Sequence, residues 1–201
     1  MKKKKTKDVL NVILKIWILI EVYMVLIGIS GLYQAGKDTI ADYLVDTYGF
    51  VKLPMAWALK NFCRDFFGVV DKTDIKQRKI LQQVGTEKAR SIHPDFWVYI
   101  TGMFISLLLK CKKERIVIPD CRYLNEFNYI KEHYGYTFLV ERNIKRSQAI
   151  LSHATEKFAK SKFLKKNANF LIDNNMNITD LYTNIDVIIT QILHANKGFK
   201  K

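Results

Sequence analysis

MVLIGISGLYQAGKDT, residues 24–39, decides the fold. Met24–Ile29 is an unbroken apolar run, the pattern of a strand buried on both faces. Gly31 to Lys37 then match GxxxxGK. A helical pattern follows, with Ile40, Leu44, Val45 and Tyr48 on one face. Glycines at 31 and 36 let the backbone turn so that successive N–H groups converge on one anion. The helix adds the positive end of its dipole, and Lys37 reaches toward terminal phosphates. The expected phosphate-binding set is Gly31, Ala35, Gly36, Lys37, Asp38 and Thr39. Asp38 stands where a hydroxyl residue usually follows the lysine. A carboxylate beside a triphosphate is repelled unless it serves Mg²⁺, so either Asp38 or Thr39 is the expected metal residue. The other reading of Asp38 is a helix cap.

Outward from this stretch, strand and helix patterns alternate. Gly49 stops the helix Lys37–Tyr48, and Phe50–Leu53 is a short strand. Pro54 opens a helical pattern through Leu59, Phe62, Phe66 and Phe67, and further helices are predicted at Ile75–Val84 and Phe96–Leu109. Arg115–Pro119 is a second buried strand closed by Asp120, and Leu124–His133 is helical up to Gly135. Thr137–Val140 and Asn169–Ile172 are the remaining strands, and Ile178–His194 is a closing amphipathic helix. Such alternation predicts an α/β fold with a parallel sheet between helices.

Composition narrows the function classes. The chain has 201 residues, enough for one domain with a real core, and nine glycines, three cysteines and 12% aromatics exclude collagen-like, disulfide-scaffold and wholly disordered chains. Mean hydropathy of −0.06, with charge recurring throughout, excludes a multi-span membrane protein. Cys63, Cys111 and Cys121 form no CxxC pair and read as reduced thiols in a cytoplasmic setting. The net charge of +14 calls for an anionic partner, but it is scattered rather than clustered. A small polyphosphate therefore explains it better than an obligate nucleic-acid partner.

Residues 1–23 differ from the rest. Six lysines against Asp8 and Glu21 give this segment +4, leaving +10 for the remainder, and the apolar run Val9–Ile20 is broken by Asn11 and Lys15. The run resembles the start of a signal peptide but lacks a small-residue cleavage site, and it is shorter than the ~20 residues a spanning helix needs. A surface helix, a weak membrane anchor and an extension upstream of a start at Met24 are all open. The expected arrangement is a dispensable extension at 1–23 and a catalytic domain at 24–201. Membrane contact is expected only if the extension belongs to the working protein, and a homodimer stays open.

Several segments in order, GLYQAGKDTIADYL (31–44), AWALK (56–60), LQQVGTEKAR (81–90) with Trp97, IVIPDCRYLNE (116–126), FLVER (138–142) and SHATE (152–156), resemble bacteriophage-type deoxynucleoside monophosphate kinases of the P-loop nucleoside monophosphate kinase group. The similarity covers roughly residues 24–195, and GKDT in place of GKS or GKT is itself typical there. It implies a P-loop three-layer sandwich with a five-stranded parallel core and a helical lid at about 141–166. It also implies ATP with Mg²⁺ as donor and a deoxynucleoside monophosphate as acceptor.

The residues bear physical readings of their own. Asp120 ends a buried strand, on the side of an open α/β sheet where ligands bind. It could organise the acceptor's phosphate contacts, hold Mg²⁺ through water, or be a plain turn aspartate. Arg122 can fork onto a phosphate, or pair with Glu126 at the surface. Gly85 permits close approach to a flat base or ends a helix. Thr86 can bond a base edge, Arg90 is cationic or simply solvated, and Trp97 stacks, walls the pocket or fills core. Lys60 either meets the acceptor or faces solvent. The resemblance assigns Asp120 and Arg122 to the acceptor site, and Arg142 and Arg146 to neutralising the migrating phosphoryl group. It also carries His153 and Glu156, one helical turn apart, as a signature pair among the substrate residues. The expected catalytic group is thus Lys37, Asp120, Arg122 and Arg142. Two rival functions remain: a P-loop kinase for another small phosphorylated metabolite, and a basic ATP-dependent nucleic-acid-binding module.

Overall fold

A strand apolar on both faces belongs in the middle of a sheet, and Val25–Gly31 (β1) lies there. The computed structural model describes residues 24–70, 74–144 and 154–197. In it β1 pairs in parallel with Arg115–Ile118 on one side and with Tyr136–Glu141 on the other. With Val51–Lys52 (β2), Arg115–Ile118 (β3), Tyr136–Glu141 (β4) and Phe170–Asp173 (β5), the order is β2-β3-β1-β4-β5 and every pairing is parallel. The predicted α/β class and five-stranded core are what the structure shows.

Side chains alternate across a strand, so β1 supplies two cores. Val25, Ile27 and Ile29 face α1 (Lys37–Tyr48) through Ile40, Ala41 and Leu44, together with the C-terminal helix Ile178–Lys197 through Leu181, Ile185 and Ile189. Met24 and Leu26 join Ile116, Ile118, Ile105 and Ile130 on the opposite face. The helices between α1 and the C-terminal one are α2 (Trp57–Phe67), α3 (Ile75–Gln82), α4 (Ala89–Ile92), α5 (Phe96–Lys110), α6 (Leu124–Glu132), α7 (Ala154–Ala159) and α8 (Lys162–Asn167), so Ile178–Lys197 is α9. α5 and α6 thus cover one face of the sheet, and α1 and α9 the other.

Three local expectations need correction. Pro54 does not begin α2; it accepts the Trp57 N–H in a preceding turn, and the helix starts at Trp57. The helix predicted to end at Val84 instead continues through a π turn, Gln83–Lys88, into α4. α9 runs on to Lys197, beyond the predicted His194.

Of the expected lid, α8 belongs to the packed body, since Leu164 is fully buried with Phe127 and Leu139. Residues 1–23, Arg146 and His153 lie outside the described residues. Among the described residues no single helix is long and apolar enough to cross a membrane. The three cysteines are free, with Cys63 and Cys121 buried and Cys111 exposed.

Candidate active site

In a parallel sheet the carboxyl ends of the strands share one edge, and the candidate residues follow from that edge. β1 runs directly into the phosphate loop. Gly36 holds φ 99° as the N-cap of α1, a left-handed conformation that glycine adopts without steric cost. A side chain there would also strike Asn174, whose amide donates to the Ala35 carbonyl at 2.8 Å. The loop is therefore braced from the segment after β5, a contact invisible in the motif itself.

Lys37 is 8% exposed, and its ammonium donates to the Gly31 and Leu32 carbonyls at 2.8 and 2.7 Å. Burial first, and then the charge of Arg122, bring its pKa down to about 8, against the upward pull of Glu156, Asp38 and Asp120. Asp38, in the first turn of α1, pairs at 3.0 Å with Lys52 of β2. Its position suits the helix dipole, but no side-chain cap bond forms at the α1 N-terminus.

β3 ends at Ile118, and Asp120 follows. Its carboxylate accepts the Met55 N–H at 2.7 Å and the Ala56 N–H at 3.3 Å, tying the strand end to the approach of α2. Beside it opens a cavity of about 220 Å³. Lys60, Gly85, Thr86, Arg90, Trp97, Asp120 and Arg122 all line it, so one space gathers seven of the nine predicted acceptor residues. Trp97 reconciles two of its readings: it is buried, and it walls the cavity, with its ring N–H spent on the Gly85 carbonyl at 2.8 Å. The π turn accounts for Gly85, because a side chain there would come within 2.5 Å of Leu59.

Glu156 is placed elsewhere. Its carboxylate accepts the Tyr33 N–H at 2.9 Å, against the phosphate loop rather than in the acceptor cavity. Arg142 is exposed just beyond β4. Reasoning from sequence missed Arg78, Gln82, Tyr123 and Glu126 as cavity residues. The spacing of Arg78 and Gln82, one turn apart on a helix leading to Gly85, could have found two of them. The alternative reading of Arg122, a surface pair between its side chain and Glu126, is not what the structure shows. Glu126 accepts the Arg122 backbone N–H at 2.7 Å and pairs with Arg90 at 2.7 Å.

A larger cavity of about 710 Å³ lies between α5 and α6 beside Met24, at the other end of β1. It contains no residue of the phosphate loop, whereas the smaller one gathers the predicted acceptor residues.

A phosphate-loop motif thus lies at the carboxyl edge of an all-parallel sheet, next to a cavity lined by Lys60, Arg78, Arg90 and Arg122. No protein-family profile matches the chain. It is 29% identical, over 187 residues, to a protein of Acanthamoeba polyphaga mimivirus provisionally named a deoxynucleotide monophosphate kinase; the match covers 81% of this chain and 94% of that one. A second match, also 29% identical, is to the uncharacterised protein ORF76 of Ictalurid herpesvirus 1 (strain Auburn), over 58% of this chain and 48% of that protein, about half its length. Among solved structures, dephospho-CoA kinase from Campylobacter jejuni covers 85% of this chain and 98% of its own, at 16% identity and a TM-score of 0.49, a likeness too weak to carry argument.

Proposed function

We propose that the protein is a deoxynucleoside monophosphate kinase that transfers the γ-phosphate of ATP to a dNMP, giving ADP and the dNDP. The observation that carries this reading is the adjacency of donor loop and acceptor cavity. Ser30, at the mouth of the loop, donates its hydroxyl at 3.0 Å to the carbonyl of Cys121, which lies between Asp120 and Arg122 on the cavity wall. Resemblance and the mimivirus relative supply the acceptor class.

The transfer needs positioning and charge neutralisation more than covalent help. Loop amides and Lys37 bind the donor phosphates. Arg122 and Lys60 hold the acceptor phosphate, whose oxygen attacks the γ-phosphorus as the bond to the β–γ bridging oxygen breaks. Asp120 holds the Met55–Ala56 backbone in place. Its two backbone contacts suit an orienting role, and a loose transition state needs no dedicated general base. Arg142 supplies charge to the phosphoryl group in transit.

Asp38 and Thr39 fit Mg²⁺. They are oxygen donors on the first turn of α1, and this cation takes one or two protein oxygens plus phosphates and waters. Among the described residues no group of three or more His, Cys, Asp or Glu gathers into a cage, which accords with a metal brought by the nucleotide. When bound, the ion neutralises charge on the triphosphate.

A coupled assay over deoxy- and ribonucleoside monophosphates tests the reading. ADP formation should rise severalfold with at least one dNMP. Stimulation by DNA alone, steeply lost with salt, would replace it with the nucleic-acid module. A response only to a non-nucleotide phosphate would replace it with a metabolite kinase.

A further inference from the structure

Arg90 is not a solvated lysine-like cation. Its guanidinium donates through Nη2 to Glu126 at 2.7 Å and through Nη1 to the Pro94 carbonyl at 3.1 Å, and it stacks 4.0 Å above the Tyr123 ring. A guanidinium has five N–H donors in a planar fork, so the two used here leave others for a ligand in the cavity that Arg90 lines. The far oxygen of Glu126 accepts the backbone N–H groups of Arg122 and Tyr123 at 2.7 and 3.2 Å. One carboxylate, 3% exposed, therefore joins α4 to the turn after β3, the elements that carry Arg90 and Arg122.

Resting on the kinase reading above, we infer that Glu126 is a positioning residue of the acceptor site: it aims Arg90 at the acceptor nucleotide and holds Arg90 in register with Arg122. The work requires the ionised form. Oε2 already accepts two N–H groups, so a proton there displaces one of them, and a proton on Oε1 removes the charge that draws the Arg90 guanidinium. Groups around the carboxylate pull both ways. Burial acts most strongly to raise its pKa, and Asp120 adds to it, while the Arg122 N–H and Arg90 oppose; the result is about 7. The buried thiol of Cys121 is its other titratable neighbour, and Lys60 and Arg78 stand across the cavity. Acceptor affinity is thereby tied to pH near neutrality.

Glu126→Gln keeps an oxygen for the backbone donors and loses the charge. The acceptor KM should rise about tenfold, with the ATP KM unchanged and kcat reduced less. The ratio of wild-type to E126Q acceptor kcat/KM should climb from near one below pH ~6 to about ten above pH ~8. The acceptor's own phosphate, titrating near ~6, cancels in that ratio. Arg90→Met leaves Glu126 in place and should abolish the same pH step, which keeps the test alive should E126Q not fold.

A readout independent of turnover is phenylglyoxal labelling at pH 8, located by peptide mass. Arg90 should react several times faster in E126Q than in the wild type. Equal labelling, an unchanged acceptor KM, or a pH step that survives in R90M would each overturn the inference. Should the wild type use no monophosphate at all, the kinase reading falls, and Arg90 labelling alone still decides whether Glu126 holds it.

Discussion

Lys37 is buried at a cost that function explains. With its pKa lowered to about 8, the folded protein binds fewer protons than the unfolded chain between pH 8 and the ordinary 10.5. Stability from this group therefore rises with pH across that window, and the burden is fully present below it. Activity should run the other way, since the ammonium that meets phosphate is lost. We expect kcat/KM for ATP to fall above pH ~8, and Lys37→Met to be no less stable than the wild type at pH 7 in thermal melts. Lys37→Ala should lower kcat/KM at least ~100-fold. Near-normal turnover by that variant would remove the loop from the mechanism. Arg122→Ala should raise the acceptor KM far more than the ATP KM. If its guanidinium made only a surface pair, kinetics would hold and stability would shift by ~0–1 kcal/mol.

At the scale of elements, the π turn separates what sequence reveals from what it hides. Strand and helix positions were legible because hydrophobic period reports burial directly: Ile40, Leu44 and the β1 run point inward wherever the chain goes. The cavity residues were legible because Gly85, Arg90 and Arg122 sit in short segments whose spacing survives folding. Partners distant in the chain were not. Glu126 finds Arg90 across 36 positions and Asn174 finds Ala35 across 139, and no local pattern encodes either. The extra residue per turn at 83–88 also breaks the 3.6 period, so the helix seemed to stop at Val84. Gly85→Ala tests that element. Helix propensity favours alanine by ~1 kcal/mol, and the clash with Leu59 costs about 1–3 kcal/mol, so stability should fall by about 0–2 kcal/mol. Leu59 lines the cavity, so its displacement should raise the acceptor KM severalfold while the ATP KM stays put. Equal KM changes for both substrates would show that the turn does not shape the acceptor pocket.

For the molecule as a whole, sheet polarity sets the amino end of β1 apart from the phosphate loop. Met24 is 6% exposed and packs with Leu26, Ile116 and Ile118 at the amino end of β1, while the phosphate loop leaves the carboxyl end. β1 needs nothing upstream to complete its ladder. The Val25 N–H already bonds the Glu114 carbonyl at 2.8 Å, and the register with β3 begins at Val25. A chain beginning at Met24 should therefore fold, remain soluble and keep kcat and both KM values within about twofold, because β1 enters the sheet at the end opposite the phosphate loop. It also sheds +4 of the +14 net charge, so any weak retention on polyanions should fall without a change in turnover. Insoluble protein, or a melting temperature lowered by more than ~2–4 °C (about 1 kcal/mol), would show instead that Val9–Ile20 packs against the domain.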